Sequence, residues 1–203
     1  MATIYDVAAY AGVSPKTVSR VINGDAPVSD KTRAKVETAI AALGYIPSSA
    51  ARVMRSNRSD LVGLITGAIS RTGEYGGVHG LPDMFLIKGI QQKIREAGKT
   101  LMIADTDNRY EQIDPLVRTF MEHRAEGILY VTESHREIVL PEMPNRCPMV
   151  LVNCFDAVGT PSVLPDDERG QYDLVRNIIR RGHRRIAYIT LQAGAEATRL
   201  RLA

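Results

Sequence analysis

The stretch Ala11-Gly12-Val13-Ser14-Pro15 limits the architecture of this chain more tightly than any other. Before it, Ile4, Val7, Ala8 and Ala11 fall at i, i+3, i+4 and i+7, the spacing that lines one face of a helix. Gly12 breaks that helix. Ser14 is then placed to cap a second one, and Pro15 takes its first position, where a missing N–H costs nothing. Val18, Val21 and Ile22 give the second helix a buried face, and Asn23-Gly24 ends it. A third helix follows Ser29-Asp30, with Val36, Ala39, Ile40 and Leu43 turned inward. Two short helices joined by a tight glycine turn make a helix-turn-helix.

If the valines of the second helix face inward, its outer side carries Pro15, Lys16, Ser19 and Arg20. In a DNA-binding helix-turn-helix this element enters the major groove with its first residues at the base edges. Arg20 suits a bidentate contact with guanine, and Lys16, one turn earlier, is a second donor. Ser14, Thr17 and Asn23 are placed to grip phosphate. Spacing alone also fits a small helical bundle with a solvated face. Charge favours the first reading: residues 1–60 hold eight Lys or Arg against five Asp or Glu, so the whole net charge of +3 lies there.

From Pro47 to about Arg58 the composition shifts to Ser, Arg and Ala, a linker with latent helicity. Beyond it, strand-like runs (Leu61–Thr66, Thr100–Ala104, Gly127–Val131, Pro148–Asn153, Arg185–Thr190) alternate with helix-like segments near Met84–Ala97, Tyr110–His123 and Asp167–Arg181. That alternation predicts a parallel sheet covered on both faces. The longest apolar runs are far shorter than a membrane span, and the first ten residues show no secretory pattern. Cys147 and Cys154 read as reduced, buried thiols. The loop Gly73–Gly80 matches neither GxGxxG nor GxxxxGK[ST], which argues against a nucleotide-dependent enzyme. The four histidines lack metal-ligand spacing and are expected at the surface or in turns. No nucleophile–base constellation stands out, and no cofactor is expected.

The segments TIYDVAAYAGVSPKTVSRVING and VSDKTRAKVETAIAALGYIP resemble, nearly position for position, the head of the lactose-repressor (LacI/GalR) family of transcriptional regulators. The resemblance implies that Pro15, Lys16 and Arg20 read bases while Tyr5, Ser14, Thr17, Asn23 and Tyr45 contact the DNA backbone. It implies that SSAARVMRS becomes a hinge helix on DNA, with Met54 as a minor-groove wedge where the family usually has leucine, flanked by Ala51 and Arg55. LVGLI, AEGILYV, PMVLVN and RNIIRRGHRRIAYIT resemble, more loosely, the family's periplasmic-binding-protein-like core. Asn153, Arg201 and, more weakly, Asp83 then fall at effector-contacting positions.

The fold implied is a three-helix head (1–46), a hinge (47–60), the first subdomain of a doubly wound parallel sheet (61–163) and the start of a second (164–203). The family continues past the position of Arg201. The second subdomain is therefore expected to be incomplete, the Arg185–Thr190 strand to present an unpaired edge, and effector binding to be weak or absent. The expected protein is a cytoplasmic homodimer that binds operator DNA and a small effector, carbohydrate in nature, with no metal, membrane or catalytic role.

Overall fold

A computed structural model describes residues 2–25, 27–47, 58–67, 69, 81–107, 109–141, 148–192 and 194–203. Contacts divide the chain into two compact units, Met1–Ser59 and Asp60–Ala203. Each is taken by itself.

In the first unit, α1 (Ile4–Ala11), α2 (Pro15–Asn23) and α3 (Asp30–Leu43) enclose a core of Val7, Ala8, Ala11, Val18, Val21, Val36 and Ala39. Local chemistry sets each boundary. Thr3 and Asp6 form a reciprocal capping box at the start of α1: the Thr3 N–H donates to the Asp6 carboxylate at 2.7 Å, and the Thr3 hydroxyl accepts from the Asp6 N–H. Ser14 and Ser29 cap α2 and α3 by accepting from the backbone N–H of Thr17 and Thr32. Gly12 closes α1 at φ 65°, a left-handed conformation that a side chain would strain, and so frees the chain to turn into α2.

The second unit is a five-stranded parallel sheet in the order β2-β1-β3-β4-β5, from β1 (Leu61–Thr66), β2 (Thr100–Asp105), β3 (Gly127–Glu137), β4 (Met149–Phe155) and β5 (Ser162–Val163). Helix α4 (Leu81–Glu96) links β1 to β2. A 3₁₀ turn (Tyr110–Gln112) and α5 (Ile113–Glu122) link β2 to β3. The order reverses direction after β2, so right-handed crossovers put α4 and α5 on opposite faces. The side chains agree. Leu64, Val131 and Val152 pack with Ile87 of α4, while Ile65 and Ile128 pack with Ile113, Val117 and Phe120 of α5. A Cβ on Gly63 would come within 2.8 Å of the Phe120 ring, so β1 admits no side chain there.

β1 to β4 sit where the sequence places them, with β2, β3 and β4 running further than expected, whereas β5 was not among the expected strands. Arg185–Thr190 is a correction. It forms no strand and belongs to none of the described sheets, and Ile189 is 96% exposed. A strand needs a partner for its N–H and C=O groups, and none of the described strands lies beside it. After β5 the described residues form only α6 (Asp167–Arg180), this irregular stretch and α7 (Glu196–Leu202), a helix the periodicity did not predict.

Candidate DNA-reading face and ligand cleft

On α2 the buried valines fix the outer face. Lys16, Arg20 and Asn23 are exposed, and Pro15, Thr17 and Ser19 are half-buried. The Ser14 and Thr17 hydroxyls are hydrogen-bonded to each other at 2.9 Å, at the positive end of the helix dipole. Asn23 is partly committed: its Nδ2 donates to the Ser19 carbonyl at 2.6 Å and approaches the Ser19 hydroxyl at 3.1 Å. Tyr5 stands 72% exposed on α1, whereas Tyr45 leans on the head's core. Ala51, Met54 and Arg55 lie outside the described residues. Asp83 falls in the first turn of α4, and its side chain is likewise outside them.

In the second unit the site begins with an irregularity. Val131 pairs with Val152 and Arg136 with Cys154, so residues 132–135 of β3 bulge opposite Asn153 alone. Asn153 takes a left-handed φ of 62° there. Its Nδ2 donates to the Thr132 carbonyl and its own carbonyl accepts from the Thr132 hydroxyl, each at 3.0 Å. The bulge, the end of β4, the start of α6 and the approach to α7 enclose a cleft of about 920 Å³, lined by Glu133, His135, Asn153, Asp167, Gln192 and Arg201 among others. Asn153 and Arg201 thus stand on one cavity, 48 residues apart in sequence. A smaller cavity of about 220 Å³, at the carboxyl ends of β1 and β3, adjoins it through Glu133 and Arg136.

Arg201 does not stand alone. Its Nε donates to Asp167 Oδ1 at 2.6 Å, and a terminal nitrogen reaches the same oxygen at 2.6 Å. Asp167 Oδ2 lies 2.9 Å from His135 Nδ1. Burial opposes ionisation of Asp167, but the hydrogen bonds from His135 and Arg201, with their charges, outweigh it and hold the carboxyl below its ordinary value. An ionised carboxylate only accepts, so His135 carries its Nδ1 proton toward Asp167. The side chains of His135 and Asp167 are 5% and 3% exposed, and His135 meets Phe155 edge-on at 5.8 Å.

This buried His135 departs from the expectation that the histidines lie at the surface; His123 and His183 do, and His79 lies outside the described residues. The bulge turns the ring inward, and Asp167 satisfies it there. Nothing in the local sequence marks His135. Asp167 had a partial signal, since Asp166 and Asp167 open a helix with a capping acid. Cys154 is a buried free thiol whose ionisation is pushed up by burial, and Cys147 lies outside the described residues. Among the described residues no helix is long and apolar enough to cross a membrane.

Comparison with known proteins adds two family matches: "Bacterial regulatory proteins, lacI family" over residues 3–48, and "Periplasmic binding proteins and sugar binding domain of LacI family" over residues 84–202. The chain is 35% identical to the ribose operon repressor of Escherichia coli (strain K12), over 100% of this chain and 59% of that protein. It is 33% identical to catabolite control protein A of Priestia megaterium, over 93% and 54%. The lac repressor dimer bound to operator and the anti-inducer ONPF superposes with a TM-score of 0.74 at 27% identity, covering 99% of this chain and 59% of that one. The chain thus spans about three-fifths of the length of such relatives.

Proposed function

The chain belongs to the LacI family of bacterial regulatory proteins, and from that membership we propose that it is a sequence-specific DNA-binding regulator, a repressor, whose operator affinity is set by a small effector. The observation that carries this reading is the outer face of α2, where Lys16 and Arg20 project from a helix whose other side is locked into the head's core. Arg20 reads guanine through O6 and N7, worth about 1–3 kcal/mol of discrimination. Lys16 and Pro15 meet neighbouring bases. Tyr5, Ser14, Thr17, Asn23 and Tyr45 hold the sugar–phosphate backbone and set register. Residues 47–60 act as the hinge, with Met54 wedging the minor groove between Ala51 and Arg55.

In this reading the head ends near residue 46, the first core subdomain spans 61–163, and the second starts at 164. Effector sits in the cleft of Asn153 and Arg201, with Asp83 a further contact, and shifts the equilibrium between DNA-binding and released forms. The carbohydrate character of the effector is supported by the sugar-binding description of the matched family and by the ribose operon repressor. The protein works as a homodimer on two half-sites, as the lac repressor does on its operator, in the compartment that holds the DNA. The relatives are regulators, and we assign this chain no catalysis.

Selection of bound duplexes from a random pool tests the proposal and yields the operator. The expected outcome is a near-palindromic consensus, with Arg20→Glu changing which half-site bases are tolerated. Recovery of no consensus overturns the reading. If Arg20→Glu weakens all duplexes equally, Arg20 is a phosphate contact instead.

A further inference from the structure

We infer that Lys99 and Glu126 are positioning residues for operator binding, which clamp Asp60 at the start of β1 and so fix the direction in which the hinge joins the sheet. This rests on the reading of the chain as an operator-binding regulator with its hinge in residues 47–60. Strand β1 lies between β2 and β3, so its start meets the turns that feed both neighbours. Gly98, at φ 69°, turns the chain from α4 toward β2, and Arg124, at φ 57°, turns it from α5 toward β3. Lys99 and Glu126 follow those turns and meet at the entry of β1, where the Lys99 ammonium donates to Glu126 Oε2. The same ammonium lies 3.7 Å from Asp60 Oδ1.

Asp60 is held through both of its peptide groups. Its N–H donates to Glu126 Oε1 at 3.0 Å, and its carbonyl accepts from the Thr100 N–H at 2.7 Å. One residue on, the Leu61 carbonyl accepts from the Glu126 N–H at 2.8 Å. Bonds on both sides of one Cα leave its two dihedrals little freedom. Asp60 is set at φ 54°, a left-handed conformation uncommon outside glycine, so the chain enters β1 through a bend. Glu126 holds the bend directly. Lys99 acts through Glu126, fixing one carboxylate oxygen so that the other faces the Asp60 N–H. The Lys99 and Glu126 side chains are only 20% and 28% exposed, unlike the solvated Lys93–Glu96 pair on α4, so solvent screens this contact less. Without the ammonium, the carboxylates of Glu126 and Asp60 repel each other at the strand entry and loosen the bend.

The test uses the full chain and reads two quantities: hydrogen exchange of the Asp60 amide by ¹⁵N NMR, and affinity for the selected operator duplex against a random-sequence duplex of equal length. In Lys99→Met the Asp60 amide is expected to exchange about tenfold faster, while the Leu64 amide in the middle of β1 keeps its rate. Operator affinity is expected to fall about tenfold, the cost of a single misread base pair. Affinity for the random duplex is expected to stay within about twofold, because phosphate contacts carry it and need no fixed aim. Glu126→Gln is expected to act in the same direction, and Lys99→Arg, which keeps the charge and the reach, to restore both the exchange rate and operator affinity. Unchanged Asp60 exchange in Lys99→Met overturns the clamp. A Leu64 rate that rises as much as that of Asp60 marks a general loosening of the sheet and likewise overturns it. Faster Asp60 exchange with operator affinity unchanged, or with equal losses on both duplexes, overturns the positioning role and leaves the regulator reading intact. If the wild-type chain selects no duplex at all, the regulator reading fails and the positioning role falls with it, whatever the exchange rates show.

Discussion

Two single positions show how differently packing and charge set the cost of a change. Gly63→Val puts a branched side chain into the Phe120 ring, at a point where an added Cβ already lies 2.8 Å away. Overpacking of this kind costs about 1–3 kcal/mol, and the urea midpoint is expected to fall with the slope unchanged. Asp167 is a different case. Its folded carboxyl is held below its ordinary value, so its contribution to stability is fully present above the unfolded value and is lost as pH falls through the folded one. Wild-type stability is therefore expected to drop below pH about 4 more steeply than that of Asp167→Asn, compared by urea midpoints across the acid range; parallel curves would remove Asp167 from the acid response. Legibility at this scale follows locality. Lys16 and Arg20 could be read because their exposure follows from the valines on the same helix turn. The His135–Asp167–Arg201 cluster could not, because it joins a strand bulge to the start of one helix and the last turn of another, 32 and 66 residues away.

At the level of elements, what could be read was what closes within a few residues. The three head helices were visible with their caps because Ser14, Pro15, Ser29 and Gly12 act on their immediate neighbours. The β3 bulge was not, since register is a property of two strands and the apolar run Gly127–Val131 gives no sign of its continuation to Glu137. Arg185–Thr190 has the composition of a strand and, among the described residues, no partner strand that would make it one. The caps permit a controlled comparison. Ser14→Ala and Ser29→Ala each remove a side chain that accepts one backbone N–H, and each is expected to cost the head about 1 kcal/mol in thermal melts. If Ser14 also contacts phosphate, only Ser14→Ala weakens operator binding beyond that shared loss. Equal losses in a gel shift would leave Ser14 a cap and nothing more.

Across the whole molecule, charge and apolar exposure are segregated along the chain. The positive surplus lies in residues 1–60, and the remaining residues balance with eighteen of each sign. Exposed apolar side chains gather late in the second unit: Ile186, Tyr188 and Ile189 on the Arg185–Thr190 stretch, Leu191 just after it, and Tyr172, Leu174 and Ile179 on α6. Such exposed apolar side chains, beside backbone that pairs with none of the described strands, favour association between copies of the chain. Its position predicts how to suppress that association. Ile189 buries almost nothing, so Ile189→Lys forfeits no hydrophobic stabilisation and places a charge at the centre of the apolar stretch. Ile189→Lys is expected to shift sedimentation profiles toward smaller species at high protein concentration while leaving the urea midpoint within about 0.5 kcal/mol of wild type. A larger stability loss would mean that Ile189 is packed in solution, and unchanged association would move the sticky surface to α6.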